Sequence, residues 1–399
     1  MRTVRYVADV RIPTEKAYGW QMVKMCSAFA SAGVRVELCT PKRRPPTRLS
    51  ADGSVFDYYG VPPTFTHQWV PDIDLVALEQ FLPSMFETSI NQLHSYAWAR
   101  YVVAREARRS RPDLLYTRDL GIAARALAAG LPLAWEVHRF PGERGRKLLI
   151  SALRAGRPRV VAALTPFLRD GLVGMGFRSD EVIVEGDAID LAAYTDPPSR
   201  EEARSTLQLP SGPLVGFVGR FQAMEAERGV MDLINAIARV DGDLAPTLVL
   251  VGGPMDMAPT YRAEAVGAGL SNDQLLIVDR VPNAQVPLWL RALDIGVMPY
   301  PNTRHYALEL SPLKMFEYMA AALPIVASDL PSIRLHLRDG VNALLAQPGD
   351  ADAFAGAITR LLRDPAFAQG LAARANDGVA GLTWDGRARR ILAAANVTP

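Results

Sequence analysis

Short runs rich in Val, Leu and Ile alternate along this chain with longer segments of helical periodicity, and no other feature restricts its folding so strongly. A run that is apolar on both faces suits a strand buried in a parallel sheet, and the intervening helices supply the crossovers that such a sheet needs. The runs fall into two series. The first comprises "VRYVADV", "VRVELCT", "DLLYT", "LPLAWEV", "RVVAAL" and "EVIVEGD"; the second comprises "PLVGFVG", "PTLVLVG", "QLLIVD", "LDIGVMP", "LPIVASD" and "NALLAQ". Between them lies the polar, helix-like "PPSREEARSTLQLP". The expected organisation is an α/β chain with a first domain over 1–195, a second over 196–375 and a C-terminal helix over 376–399 that returns toward the first. A chain of 399 residues can build two separate cores of this kind. Open α/β sheets bind ligands beyond the carboxyl ends of their strands. Two facing parallel sheets therefore put the functional residues at those ends, along a cleft between the domains.

Several classes drop out. A formal net charge of +2 does not imply a nucleic-acid partner. Cys26 and Cys39 lie in apolar surroundings without CxxC or metal-ligand spacing, which suits a reducing compartment, and the cytoplasm is the expected location. No stretch approaches the roughly 18 apolar residues of a membrane span, and "MRTVRYVADV" reads as a first strand rather than a signal peptide. A dinucleotide-binding enzyme would carry GxGxxG between a strand and the next helix. The corresponding segments here, "VADVRIPTEKAYGWQ" and "GFVGRFQAMEAERG", lack it. Asp72-Ile-Asp74 has a DxD form, but comparable spacings at Asp187/Asp190 and Asp350/Asp352 mark it as chance, and no metal site is expected.

Two segments of the second series concentrate charge where ligands gather. In "FVGRF", Gly219 and Arg220 follow a buried strand, and Arg228 precedes Gly229 at the start of the helical "GVMDLINAIARV". Two guanidiniums beside a helix N-terminus suit a diphosphate; the alternative is a pair of solvated surface arginines. In "ELSPLKMFEYMAAALPIVASD", Ser311 is placed to cap a helix whose first turn holds Pro312, with free N–H groups and Lys314 offering a second anion site. Glu317 falls inside an apolar helical stripe, where an ionised carboxylate needs a partner. That partner is either a pair of ribose hydroxyls or a neighbouring arginine. In the first series, "LAWEVHRF" brings His138 to a strand end, and Gly19 in the turn after Lys16 permits close backbone approach to a ligand; the alternatives are an incidental rim histidine and a plain strand-to-helix turn. "VALEQFLPSMFETSINQLHSYAWARY" is a candidate acceptor wall. The basic helix "ERGRKLLISALRAGRPR" either lies on an anionic membrane or, as expected here, packs its leucines on the sheet and shows its charges to water.

Together these segments resemble the retaining glycosyltransferases of family 4, over essentially the whole chain. "RIPTEKAYGWQMVKMCSAFA", "VGRF", "LVGG" and "SPLKMFEYMAAALPIVASD" carry the likeness, and Glu309 and Glu317 match the family's E-x7-E motif. The resemblance implies the GT-B architecture of two facing Rossmann-like domains with parallel sheets and an interdomain cleft. It gives Glu317 the donor ribose, Glu309 the hydroxyls of the transferred sugar, and the backbone amides of Ser311, Pro312 and Leu313 the diphosphate, with Gly19, Gly219 and Lys314 also on the donor side. Arg220 matches a phosphate-binding arginine, and Arg228 stands where the family usually has a lysine. His138 matches a histidine close to the donor sugar, while Lys16 and Tyr18 fall on the acceptor side. "EGDAID" departs from the family's usual PNGVD-like turn at Asp187.

The implied chemistry is transfer of a sugar from a nucleotide diphosphate sugar, of UDP or GDP type, to the hydroxyl of a sugar, glycoside or carrier-linked acceptor. Only Glu309 lies near the sugar, so double displacement lacks a nucleophile, and a front-face route without metal or cofactor is expected. A nucleotide-sugar epimerase and a silent sugar-nucleotide-binding subunit are the alternatives. Membrane contact is expected to be weak at most.

Overall fold

A computed structural model of the chain describes residues 1–14, 16–43, 54–72, 84–109, 111–223 and 226–398. It contains two compact units, Met1–Gly186 together with Trp384–Pro399, and Asp187–Thr383. The chain thus passes between units at 186/187 and 383/384, where the sequence suggested 195/196 and 375/376. The shift has a packing cause. Ile189, Leu191 and Tyr194 join the second unit's apolar cluster beside Met315, Phe316 and Met319, so the segment before the polar helix already belongs to that core. At the other end, Ala375 and Val379 remain in the same cluster. Only the helix Trp384–Ala394 lies in the first unit, packed on the helix Ala17–Ser31.

In the first unit, β1 (Thr3–Val7), β2 (Arg35–Pro41), β3 (Thr66–Val70), β4 (Leu114–Thr117), β5 (Leu133–Val137), β6 (Val160–Ala163) and β7 (Val182–Val184) form one sheet in the order β3-β2-β1-β4-β5-β6-β7. All pairings are parallel. β3 was not expected. Its "THQWV" is polar at an edge position, buried fully only at Val70, so it lacks the apolar run that marks an inner strand. The helix Ser84–Arg108 sinks Trp98, Ala99, Val102 and Val103 into the core; residues 76–83 of the proposed acceptor wall lie outside the described residues. The basic helix Glu143–Ala155 buries Leu149 and Ala152, rests Leu148 and Leu153 against the core, and leaves Arg144, Lys147 and Arg154 exposed. Among the described residues, no helix is long and apolar enough to cross a membrane.

The second unit has a parallel sheet of β8 (Leu214–Val218), β11 (Thr247–Val251), β12 (Leu275–Val278), β13 (Ile295–Met298), β14 (Ile325–Ser328) and β15 (Leu344–Ala346), ordered β12-β11-β8-β13-β14-β15. A small hairpin, β9 (Gln222–Ala223) and β10 (Ala226–Glu227), follows β8. β8 and β13 are buried throughout. The strand order reverses between β1 and β4 in the first sheet and between β8 and β13 in the second. Those reversals open a crevice at the strands' carboxyl ends, the usual place for a ligand in such sheets.

Candidate active site

The second unit's switch point is built from β8 and β13. Gly219, with φ +140°, turns the chain off β8, and its N–H donates to Val251 O at 2.7 Å. A Cβ at Gly219 would come within 2.7 Å of Lys314 Nζ, so a larger residue here would displace that side chain. The lysine lies over the Phe217 ring, 3.6 Å from its centroid, and 5.5 Å from that of Tyr300. Its Nζ is sealed from solvent without a hydrogen-bond partner. Burial, reinforced by Arg228, drives the lysine pKa well down, and Glu317 opposes the shift.

Helix Leu313–Ala320 begins differently from the sequence expectation. Ser311 does not cap it: the Ser311 hydroxyl accepts the backbone N–H of Asp187 at 2.8 Å, and Pro312, with ψ 119°, takes the N-cap position instead of the first turn. The capping oxygen is diverted to hold the segment that enters the unit. In consequence, the N–H groups of Leu313 and Lys314 have no hydrogen-bond partner among the described residues. Glu317, one turn on, is half-buried and likewise makes no hydrogen bond or ion pair there. Burial raises its carboxyl to about 7, with Lys314 partly countering. The neighbouring arginine that would make Glu317 structural is therefore absent among the described residues. Glu309 closes the π-helical turn His305–Glu309, buried, with His305 Nδ1 3.3 Å and Arg304 Nε 3.9 Å from its carboxylate.

Arg220 is exposed and unpaired among the described residues. Arg228 is half-buried, and its Nε is sealed without a partner. Burial raises the phenols of Tyr300 and Tyr306, and nearby Arg228 opposes both shifts; the two rings stack at 5.0 Å beside it. The helix N-terminus after Arg228, expected to hold an anion, is already occupied. Glu227 accepts Gly229 N–H at 2.6 Å and Val230 N–H at 2.5 Å, satisfying the donors a phosphate would use. The donors left open at this edge are instead the arginine side chains and the first N–H groups of helix Leu313–Ala320.

Gly229 itself is fixed by geometry. It has φ +82°, and a Cβ would lie 1.6 Å from Pro299 O. Gly229→Ala is expected to destabilise the protein by roughly 2–4 kcal/mol, adding left-handed strain to overpacking. Urea unfolding followed by tryptophan fluorescence would read this as a lowered midpoint, and an unchanged midpoint would refute the packing argument.

In the first unit, His138 follows β5 and bonds through Nε2 to the Glu136 carboxylate. Burial pushes the imidazole down to about 4, with the Arg118 charge adding to the shift and Glu136 opposing. Tyr18 is half-buried, with the Arg118 guanidinium 5.9 Å from its ring centroid; Lys16 is exposed at the N-cap of helix Ala17–Ser31. Gly19 is buried, and the space its side chain would fill belongs to Tyr59, whose oxygen would lie 2.1 Å from a Cβ. Tyr59 hydroxyl in turn donates to Thr14 O and accepts Thr14 N–H, each at 2.9 Å. Asp72 pairs with Arg43 and His94, while Asp74 lies outside the described residues. Sequence reasoning missed Glu227, Tyr300, Glu136 and Arg387. Of these, Glu136 left a signal, a charge inside the otherwise apolar "LAWEV".

Residues 212–364, covering the switch point just described, match the family described as glycosyl transferases group 1. The chain is 27% identical over 391 residues to D-inositol 3-phosphate glycosyltransferase 1 of Catenulispora acidiphila, covering 93% of this chain and 88% of that protein. It is 29% identical over 285 residues to D-inositol 3-phosphate glycosyltransferase of Actinosynnema mirum, covering 66% of each. Among solved structures, Anabaena HepE in complex with UDP and glucose matches with a TM-score of 0.71 at 17% identity, over 99% of this chain and 100% of that one. Sucrose-phosphate synthase from Thermosynechococcus elongatus matches with 0.71 at 19% identity, over 98% and 97%. The two Rossmann-like units and the matched domain define a glycosyltransferase of GT-B fold. The match to that family description covers residues 212–364, and the curated relatives are glycosyltransferases.

Proposed function

We propose that this glycosyltransferase takes a sugar from a UDP- or GDP-type donor and passes it to an acceptor hydroxyl with the anomeric configuration retained. The observation that carries this reading is the unpartnered set at the second sheet's carboxyl edge: Glu317 and the Leu313 and Lys314 N–H groups. A nucleoside diphosphate supplies what each lacks, ribose hydroxyls for the carboxylate and phosphate oxygens for the donors. HepE was solved with UDP and with UDP-glucose, which supports a donor of this class.

In the proposed reaction, Arg220 and Arg228 stabilise charge that grows on the diphosphate as the glycosidic bond breaks. Glu309 holds hydroxyls of the transferred sugar, and His138 keeps the sugar contact the resemblance gives it. A leaving phosphate oxygen takes the acceptor proton on the face where the new bond forms. The arginines provide the positive charge for this step, so the route calls on no metal or cofactor. A sugar, glycoside or carrier-linked acceptor fits, and the names of the relatives make a phosphorylated polyol the first candidate to try. We place the protein in the cytoplasm, which suits two free, buried thiols.

Incubation with radiolabelled UDP, GDP, ADP and dTDP sugars and a panel of acceptors tests the reading. Label is expected to move to an acceptor, at a rate that survives excess EDTA. Epimerised donor without transfer, or binding without turnover, would contradict it.

A further inference from the structure

The carboxylate that bonds His138 is itself held by a side chain from the far end of the sequence. Arg387, on the helix Trp384–Ala394, is 1% exposed although it carries a charge. Its Nη1 donates to Glu136 Oε2 at 3.0 Å and its Nε to Gly186 O at 2.8 Å, with Nη2 3.4 Å from Glu185 O. Glu136 is itself buried inside β5 and also accepts from the Tyr116 hydroxyl through Oε2. Its Oε1 faces His138 Nε2. Every neighbour of this carboxylate is thus a donor.

We propose that Arg387 and Glu136 are positioning residues that lock His138 as the neutral Nε2–H tautomer, so that Nδ1 meets the bound sugar as an acceptor for one of its hydroxyls. An ionised carboxylate can only accept, so the hydrogen between Glu136 and His138 belongs to the imidazole. Burial pushes the Glu136 pKa up, but Arg387 and His138 outweigh it and hold the carboxyl well below its ordinary range. Beside an unpaired carboxylate a histidine tends to gain a second proton. Here Arg387 already balances the charge of Glu136, and Arg118 adds a repelling one, so burial decides in favour of the neutral ring. The other titratable groups facing this cluster are Tyr6 and Tyr116, both kept protonated by burial. His138 Nδ1 has no partner among the described residues, and the side chain stays 19% exposed.

This inference rests on the reading of His138 as a sugar contact, but its tautomer is measurable in the free protein without substrate. The chain has five histidines, so the His138 signal is assigned by its loss in His138→Gln. Long-range 1H–15N correlation at about pH 7 is expected to show a pyrrole-type Nε2 and a pyridine-type Nδ1. A protonated ring, or a proton on Nδ1, would overturn the proposal even if no variant folds. Arg387→Met should raise the His138 pKa by more than one unit and add an acidic limb to the pH–rate profile of sugar transfer. Arg387→Lys should reverse most of that shift, and Tyr116→Phe should leave the tautomer in place. If Arg387→Met folds and the His138 titration does not move, Arg387 is structural only. Failure of sugar transfer in the native protein, with the tautomer as stated, would count against the functional reading and leave this geometry intact.

Discussion

Arg220→Ala is expected to lower kcat about a hundredfold or more, with a smaller change in donor affinity, because negative charge builds on the diphosphate between the bound donor and the transition state. Arg220 stands just beyond β8, exposed and free of any ion pair among the described residues. It therefore has no structural bond to lose, and the variant should unfold at the native urea concentration. Arg228→Ala should resemble it in rate. Arg228 differs in being half-buried against Tyr300 and Tyr306, so Arg228→Lys tests geometry separately from charge. Steady-state kinetics with a single donor decide the matter. Native turnover in Arg220→Ala would remove the arginine from the chemistry.

Glu317→Gln is expected to weaken donor binding by about 1–3 kcal/mol, a loss of roughly 5- to 150-fold in affinity, as for other charged acceptors facing hydroxyls. The pH behaviour sharpens this. Burial lifts the Glu317 carboxyl to about 7, above the ordinary carboxylate range. As pH rises from that ordinary range to about 7, the unfolded chain has released this proton while the folded chain keeps it, so the free protein loses stability across the window. Bound ribose returns that stability by accepting the charge into hydrogen bonds. Affinity for a nucleotide sugar should accordingly rise from about pH 6 to pH 8 in the native protein, and this limb should vanish in the glutamine variant. The charged and titratable groups around Glu317 are Lys314, Tyr194, Tyr300 and Tyr318. All three phenols are raised by burial and stay protonated, which leaves Lys314 to check with Lys314→Met. Calorimetric titration at several pH values reads the effect directly. A glutamine variant that binds as well as the native protein but unfolds more easily would make Glu317 a structural residue after all.

The sequence carried the inner strands because a strand covered on both faces must be apolar along its length, as "LVGFV" and "IVAS" are. The edge strand β3 escaped because nothing demands apolar residues on its outer side. At the site, Glu309 and Glu317 were legible as a spacing, and Glu317 as a charge in an apolar stripe. The cap of the same helix was misread: Ser311 has the right chemistry, but the Asp187 N–H, 124 positions away, competes for its oxygen. Glu227 was overlooked for a related reason. A carboxylate two positions before Gly229 looks like surface charge until the turn folds it back onto the helix's own donors. Arg387 lies furthest from sequence reasoning, since its partner Glu136 is 251 positions away and only the return of the last helix joins them.

Sugar transfer with retention is read from the stereochemistry of the first product. With the donor identified by the labelled panel, 1H NMR during the initial phase of the reaction reads the coupling of the new anomeric proton before any slow equilibration. The product should carry the donor's own anomeric configuration. An inverted product would contradict it, because attack from the opposite face needs a separate general base, which the proposed front-face route does not use.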